Sequence, residues 1–302
     1  SQELKLRPAQ VEAAVRLLDE GNTIPFIARY RKEMTDSLDD AALRDLSDRL
    51  EYLRNLQKRR EEVIRSITEQ EKLTPELETA IQAAATLAEV EDLYRPYKPK
   101  RRTRGSIARE KGLEPLAAAI RAQNTLQEPL SMAEKYIDPE KGVETAGDAL
   151  SGAMDIIAED ISDDGEIRKA LRLLIHRAAV VTATGDSTEN TTYKMYYDFK
   201  EPVGRIAPHR VLAINRGEKE GFLKTAIVLE EEKALEAIRR KTVIANNACG
   251  RAVMEAAADS WKRLIAPSME NETFRELFEN ASEQAIRVFA ENLHHLLMQP
   301  PL

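Results

Sequence analysis

Residues 39–75 read DDAALRDLSDRLEYLRNLQKRREEVIRSITEQEKLTP, and within them Leu43, Leu46, Leu50, Leu53, Leu56, Val63 and Ile67 follow one another by steps of three, four or seven. Those steps hold the apolar side chains on one helical face, and neither Gly nor Pro interrupts before Thr74 and Pro75. The spacing predicts one long helix from Asp39. Thr74 and Pro75 supply an N-cap and a first-turn residue for a second helix carrying Leu77, Ile81 and Leu87. So short a connection makes the two helices antiparallel neighbours. Residues 39–93 therefore read as a helical hairpin, and the fold class that follows is mainly α.

Upstream, Val11, Ala14, Val15 and Leu18 recur at helical spacing between Pro8 and Gly21. Thr23 and Pro25 open a second short helix whose apolar face is Ile24, Ile27 and Ala28. Residues 1–38 thus read as a helix-turn-helix-like pair. Downstream, Pro96 and Pro99 exclude helix and favour an extended path, so residues 94–111 are expected to form a basic extended linker, with helical spacing resuming weakly at Ser106 and stopping at Gly112. Residues 112–302 read as a helical bundle region. Its apolar stripes include Ala146, Leu150, Ala153 and Ile157, then Ile167, Leu171 and Ile175, and later Val253, Ala257, Trp261 and Leu264. Tyr193–Phe199 fits either a strand or a helix and is read as helix, while residues 222–229 are the best strand candidate. The expected architecture is an elongated multi-helical assembly with at most a small strand element.

A chain of 302 residues suggests two or three compact units. Charged residues make up 32% and aromatics 5%, the balance of amphipathic helices. With a formal net charge of −7 and pI near 5.4, the whole chain does not attract phosphate, so any nucleic-acid contact has to come from a local patch. The single cysteine, Cys249, allows no internal disulfide and no Cys-based zinc site. No window approaches the ~18 to 20 apolar residues of a membrane span, and no signal-peptide pattern opens the chain. A soluble, cytoplasmic protein is expected. Because the chain starts Ser1-Gln2 and stops at Pro300-Pro301-Leu302, it reads as a fragment.

Enzymatic motifs are missing. No dinucleotide fingerprint or phosphate-cradling loop occurs, and His176, His209, His294 and His295 lack metal-ligand spacing. The acidic run Asp155, Glu159, Asp160, Asp163, Asp164 and Glu166 fails as a calcium loop, because Leu171 stands where the bidentate Glu belongs. It reads as acids at a helix start. No catalytic residue, metal, cofactor, small-molecule substrate or membrane partner is expected.

The basic stretch differs in kind. From Tyr94 to Lys111 it holds eight cations, Arg95, Lys98, Lys100, Arg101, Arg102, Arg104, Arg109 and Lys111, against Glu110 alone. Lys98, Lys100, Arg101, Arg102 and Arg104 could track phosphates while Tyr94 and Tyr97 stack on bases. Equally, the cations could pair with the acidic remainder and make the stretch a connector. A smaller patch, Arg29, Arg31 and Lys32, could contact a nucleic-acid backbone in helix-turn-helix fashion, although a solvated helix end is the simpler reading.

Several motifs together resemble the Tex family. They are Ile24-Pro25-Phe26-Ile27-Ala28-Arg29-Tyr30-Arg31-Lys32-Glu33, the run Asp92 to Arg104, Pro139-Glu140-Lys141-Gly142-Val143, Pro208-His209-Arg210, and Asn215 to Gly221. The resemblance spans essentially the whole chain. It implies a bacterial transcription accessory protein related to a eukaryotic elongation factor that also handles histones. In that family a helical N-terminal region precedes a ribonuclease-H-like domain, helix-hairpin-helix motifs and an OB-fold, none of which is visible here. RNA or DNA would then be held mainly by domains absent from this chain, with the transcription or translation machinery as further partners. Two expectations stand: a helical scaffold region with accessory phosphate contacts, or a protein-interaction or interdomain module with no direct nucleic-acid contact.

Overall fold

The computed structural model describes residues 1–98, 102–186 and 191–299. The chain divides into two compact units, Ser1–Lys98 and Pro99–Leu302, each with its own buried apolar clusters.

In the first unit, α1 (Pro8–Asp19) and α2 (Ile24–Tyr30) precede α3, a single helix of 30 residues (Asp40–Glu69). Gly21 ends α1 with φ +82°, a conformation open to glycine without strain. Asp39 caps α3 by accepting from the Ala42 N–H at 2.8 Å. The apolar stripe of α3 serves two cores. Leu43 and Leu46 pack with Ala14, Leu17, Ile27 and Leu38, whereas Leu56, Val63 and Ile67 pack with Ile81, Ala84, Val90 and Tyr94.

The returning arm of the hairpin is two helices, α4 (Pro75–Ala83) and α5 (Leu87–Tyr94). Ala84 leaves the helical region at ψ 118°, and Thr86 restarts the helix by accepting from the Glu89 N–H at 3.2 Å. Arg60 donates to the carbonyl of Ala84 at 2.7 Å, which satisfies the group the break exposes.

The second unit runs α6 (Arg104–Glu110), α7 (Glu114–Ala122), α8 (Pro129–Ala133), α9 (Ala146–Asp163), α10 (Gly165–Ala178), β1 (Val180–Gly185), β2 (Asp198–Pro202), α11 (Pro208–Lys219), β3 (Leu223–Val228), α12 (Glu231–Thr242), α13 (Ala248–Ser260) and α14 (Ala266–Leu297). At its centre is α9, whose Ala149, Ala153, Ile156, Ile157, Ala158 and Ile161 are all buried. The small residues Cys249, Gly250, Ala252, Ala256 and Ala257 of α13 are buried as well, and the Ser260 hydroxyl donates to the Ala158 carbonyl at 2.6 Å. A π-helical turn over Trp261–Ile265 joins α13 to α14.

The fold is mainly α with one small sheet. Its order is β2-β1-β3, with both pairs antiparallel, so the strand near residues 222–229 finds its partner in β1. Reading Tyr193–Phe199 as helix is corrected: Lys194–Tyr196 form a 3-10 turn and β2 begins at Asp198. The preference comes from outside the segment. Val180, Val181 and Thr182 give β1 a β-branched run, and Phe199 pairs with Ala183 across the ladder. The ring of Phe199 then meets Tyr196 edge-on at 5.5 Å.

The extended path expected for residues 94–111 is likewise corrected over its described residues. Arg95–Tyr97 form a 3-10 turn with Pro96 in its first turn, where a missing N–H costs nothing. Thr103 then starts α6 with a reciprocal cap: its hydroxyl accepts from the Ser106 N–H at 3.0 Å, and the Ser106 hydroxyl accepts from the Thr103 N–H at 2.8 Å.

Candidate nucleic-acid interface

Two basic segments compete for this role, and their surroundings differ. In the second unit α6 lies directly on α9, at a point where a side chain on Gly105 would run into Glu159. That approach brings Arg109 over the acidic run. Its guanidinium donates to Glu159 at 2.7 Å, Asp160 at 2.5 Å and Glu114 at 2.7 Å, and Asp160 also accepts from Arg121 at 2.6 Å. Arg263 reaches Asp155 at 3.1 Å. Arg104 is exposed, and its charge acts on Asp155.

The electrostatics match this geometry. Burial works against the charge of Arg109, and Glu159, Asp160 and Glu114 more than offset it, holding the guanidinium above its ordinary range. Burial pushes the Asp155 carboxyl up against the pull of Arg263 and Arg104. It pushes Asp160 up in the same way, against Arg109 and Arg121. Asp155, Glu159 and Asp160 are thus the counter-charges of arginines. Asp164 and Glu166 do stand at a helix start, Asp164 capping α10 by accepting from the Ile167 N–H at 2.9 Å and Glu166 lying in its first turn.

Three other cations of the stretch are engaged more loosely. Arg102 pairs with Glu110 at 3.3 Å, Lys111 donates to the Gly142 carbonyl at 2.8 Å, and in the first unit Lys98 lies 4.0 Å from Glu91. Lys100 and Arg101 lie outside the described residues.

The second segment is the end of α2. Arg29, Arg31 and Lys32 are all exposed, and none forms an ion pair among the described residues. Ile27 is fully buried and anchors the opposite face of the helix in the core. The chain after α2 is held in a tight turn. Met34 and Thr35 donate their N–H groups to the Arg31 carbonyl at 3.0 and 3.2 Å, and Ser37 donates to the Lys32 carbonyl at 2.8 Å. Gln10 of α1 donates to the Asp36 carbonyl at 3.1 Å.

This end of α2 brings two further residues into the candidate site. Phe26 and Tyr30 stand on its solvent side with ring centroids 5.3 Å apart, and the Arg31 guanidinium lies 5.3 Å from the Phe26 ring centre. Sequence carries a signal for them: once Ile24, Ile27 and Ala28 are assigned inward, a spacing of four places Phe26 and Tyr30 together on the other face. Among the described residues no three His, Cys, Asp or Glu side chains are arranged to hold a metal ion, and no helix is long and apolar enough to cross a membrane.

Comparison with known proteins gives two family matches. The Tex-like protein N-terminal domain matches residues 1–68, and the Tex central region-like family matches residues 124–289. YdcI of Bacillus subtilis (strain 168), an uncharacterized protein by its name, is 46% identical over 308 residues, covering 100% of this chain and 43% of its own length. The transcriptional accessory protein Tex of Neisseria gonorrhoeae is 38% identical over 312 residues, covering 100% of this chain and 41% of its own length. The S1 RNA-binding domain-containing protein 1 of Homo sapiens is 30% identical over 322 residues, covering 100% of this chain and 32% of its own length. The chain spans less than half the length of each of these relatives.

Proposed function

The chain belongs to the Tex family, and on that premise we propose that it is a non-catalytic helical scaffold of a nucleic-acid-associated transcription accessory protein. Its own contact with nucleic acid is made at the end of α2. The observation that carries this reading is the contrast in counter-charge. Arg29, Arg31 and Lys32 have no carboxylate partner among the described residues, whereas Arg109 already faces three carboxylates. A cation with no carboxylate to give up meets phosphate at little cost, and one in a half-buried ion pair has to break that pair first. The names of the gonococcal and human relatives point the same way, one to transcription and the other to RNA.

On this reading α6 is a structural strap of the second unit, and Arg109 holds it to α9. The test is the salt dependence of binding by the 302-residue chain to a labelled RNA or DNA strand. Changing Arg29, Arg31 and Lys32 together to Ala flattens the log–log salt slope by about 2, while changing Arg109 to Ala leaves it nearly unchanged. The reverse pattern, or no binding at low salt, refutes the proposal.

A further inference from the structure

A cleft of about 220 Å³ opens in the second unit, where the C-terminal half of α9 and the start of α10 meet the ends of α7 and α12. Its floor is aliphatic, made of Ile157, Ile161, Ile167 and Val253, all of them buried. Its charged lining is balanced, with Arg121 and Lys241 standing against Asp160 and Asp164. Asp160 is already committed, because its two oxygens accept from Arg109 at 2.5 Å and from Arg121 at 2.6 Å. The other three groups keep capacity to spare. Among the described residues Arg121 spends a single guanidinium N–H, on Asp160. Asp164 spends its Oδ1 on the Ile167 N–H, and Lys241 lies 3.7 Å from Glu166 with half of its side chain exposed. At the mouth Ile244 is 75% exposed, on a loop whose Ile244 and Ala245 N–H groups both donate to the Gln123 side chain at 3.0 Å. That anchoring gives the cleft an apolar wall which can be covered without first ordering a loop.

We infer that this cleft binds a free aliphatic α-amino acid, its carboxylate on Arg121 and Lys241, its ammonium on Asp164 and its side chain over the isoleucines. The balance of charge decides the class. A purely anionic ligand would gain the two cations but bring its charge against Asp160 and Asp164, and a purely cationic one would meet Arg121 and Lys241 in the same way. An uncharged apolar molecule would strip water from the charged groups and return no hydrogen bond. A zwitterion offers each sign its opposite, while its aliphatic part takes the floor and Ile244 out of water. The size agrees, since 220 Å³ far exceeds the roughly 10–15 Å³ that admits one water. The site belongs to the second unit and is independent of the contact proposed for α2.

The experiment is isothermal titration of the 302-residue chain with L-leucine and L-isoleucine at millimolar concentration. Beside them stand leucinol, which lacks the carboxylate, and isocaproate, which lacks the ammonium. Leucine or isoleucine is expected to bind, with leucinol and isocaproate weaker by about 10- to 100-fold, the loss of one charged hydrogen bond. Two variants place the site. Asp164→Asn removes the charge that meets the ammonium and leaves α10 a capping side chain, since Asn caps as well as Asp. Lys241→Met removes a charge that meets the carboxylate from an exposed position and leaves the side-chain stem. Each should weaken the amino acid by about tenfold or more, and circular dichroism melting of both without ligand should match the parent. No binding of either amino acid overturns the inference. So does isocaproate or leucinol binding as tightly as leucine, and so does amino-acid binding that both variants leave undisturbed.

Discussion

Gln123 ties the turn that follows α7 to the loop before α13. Its side-chain oxygen accepts from the N–H groups of Ile244 and Ala245, both at 3.0 Å, and its side-chain nitrogen donates to the Thr242 carbonyl at 2.8 Å. Asn247 in turn donates to the Gln123 carbonyl at 2.8 Å and caps α13 by accepting from the Gly250 N–H at 2.8 Å. Gly250 leaves no space for a side chain, since a methyl there would overlap the Ala245 carbonyl. Replacing Gln123 by Leu strips partners from three buried or half-buried backbone groups and should cost about 3 kcal/mol. Gly250→Ala forces the same loop to shift and should cost about as much, roughly 1–3 kcal/mol. Because both act on one loop, the double variant should lose clearly less than the sum of the two single losses. Urea unfolding checks all three, and strict additivity would show that the loop is not one unit.

At the scale of elements, α6 decides how the basic stretch is understood. Arg109→Leu removes the guanidinium that Glu159, whose side chain is 8% exposed, faces at 2.7 Å. Its expected cost is about 2–3 kcal/mol, reduced from that of a fully buried pair because Arg109 is itself partly exposed to solvent. If α6 is a strap, this variant lowers the melting temperature and leaves the salt slope of strand binding unchanged. A flattened slope at unchanged stability would return the stretch to the phosphate track. The sequence makes α3 legible, because helical periodicity is local and is written into Leu43 to Ile67. It also makes the cations of residues 94–111 and of α2 legible. It does not show that Arg109 meets Glu159 and Asp160, since those partners lie 50 and 51 positions away and become neighbours only when α6 packs on α9. The same limit hides β2, whose strand character depends on β1 supplying an edge. Thr103 and Ser106 did carry a local sign, a reciprocal cap, that outweighs the nearby prolines.

For the whole molecule, a formal charge of −7 and a pI near 5.4 set a long-range repulsion against the short-range attraction proposed for α2. The two terms respond differently to salt. The screening length is about 30 Å at 0.01 M and about 8 Å at 0.15 M, so salt suppresses the repulsion of distant acids while counterion release weakens the direct contacts. Below about 0.02 M the two responses oppose each other, and the salt slope should be shallower there than near 0.15 M. Acidification separates them at fixed salt. From about pH 8 to about pH 6 the net negative charge shrinks toward the isoelectric point while arginine and lysine stay charged. Affinity for oligouridylate at low salt should therefore rise about two- to fivefold as the pH falls, and the gain should fade near 0.15 M. Anisotropy titrations at both pH values and both salt concentrations measure this. A gain that persists undiminished at the higher salt would mean that a titrating group touches the strand directly, and the contact would then have to extend beyond Arg29, Arg31 and Lys32.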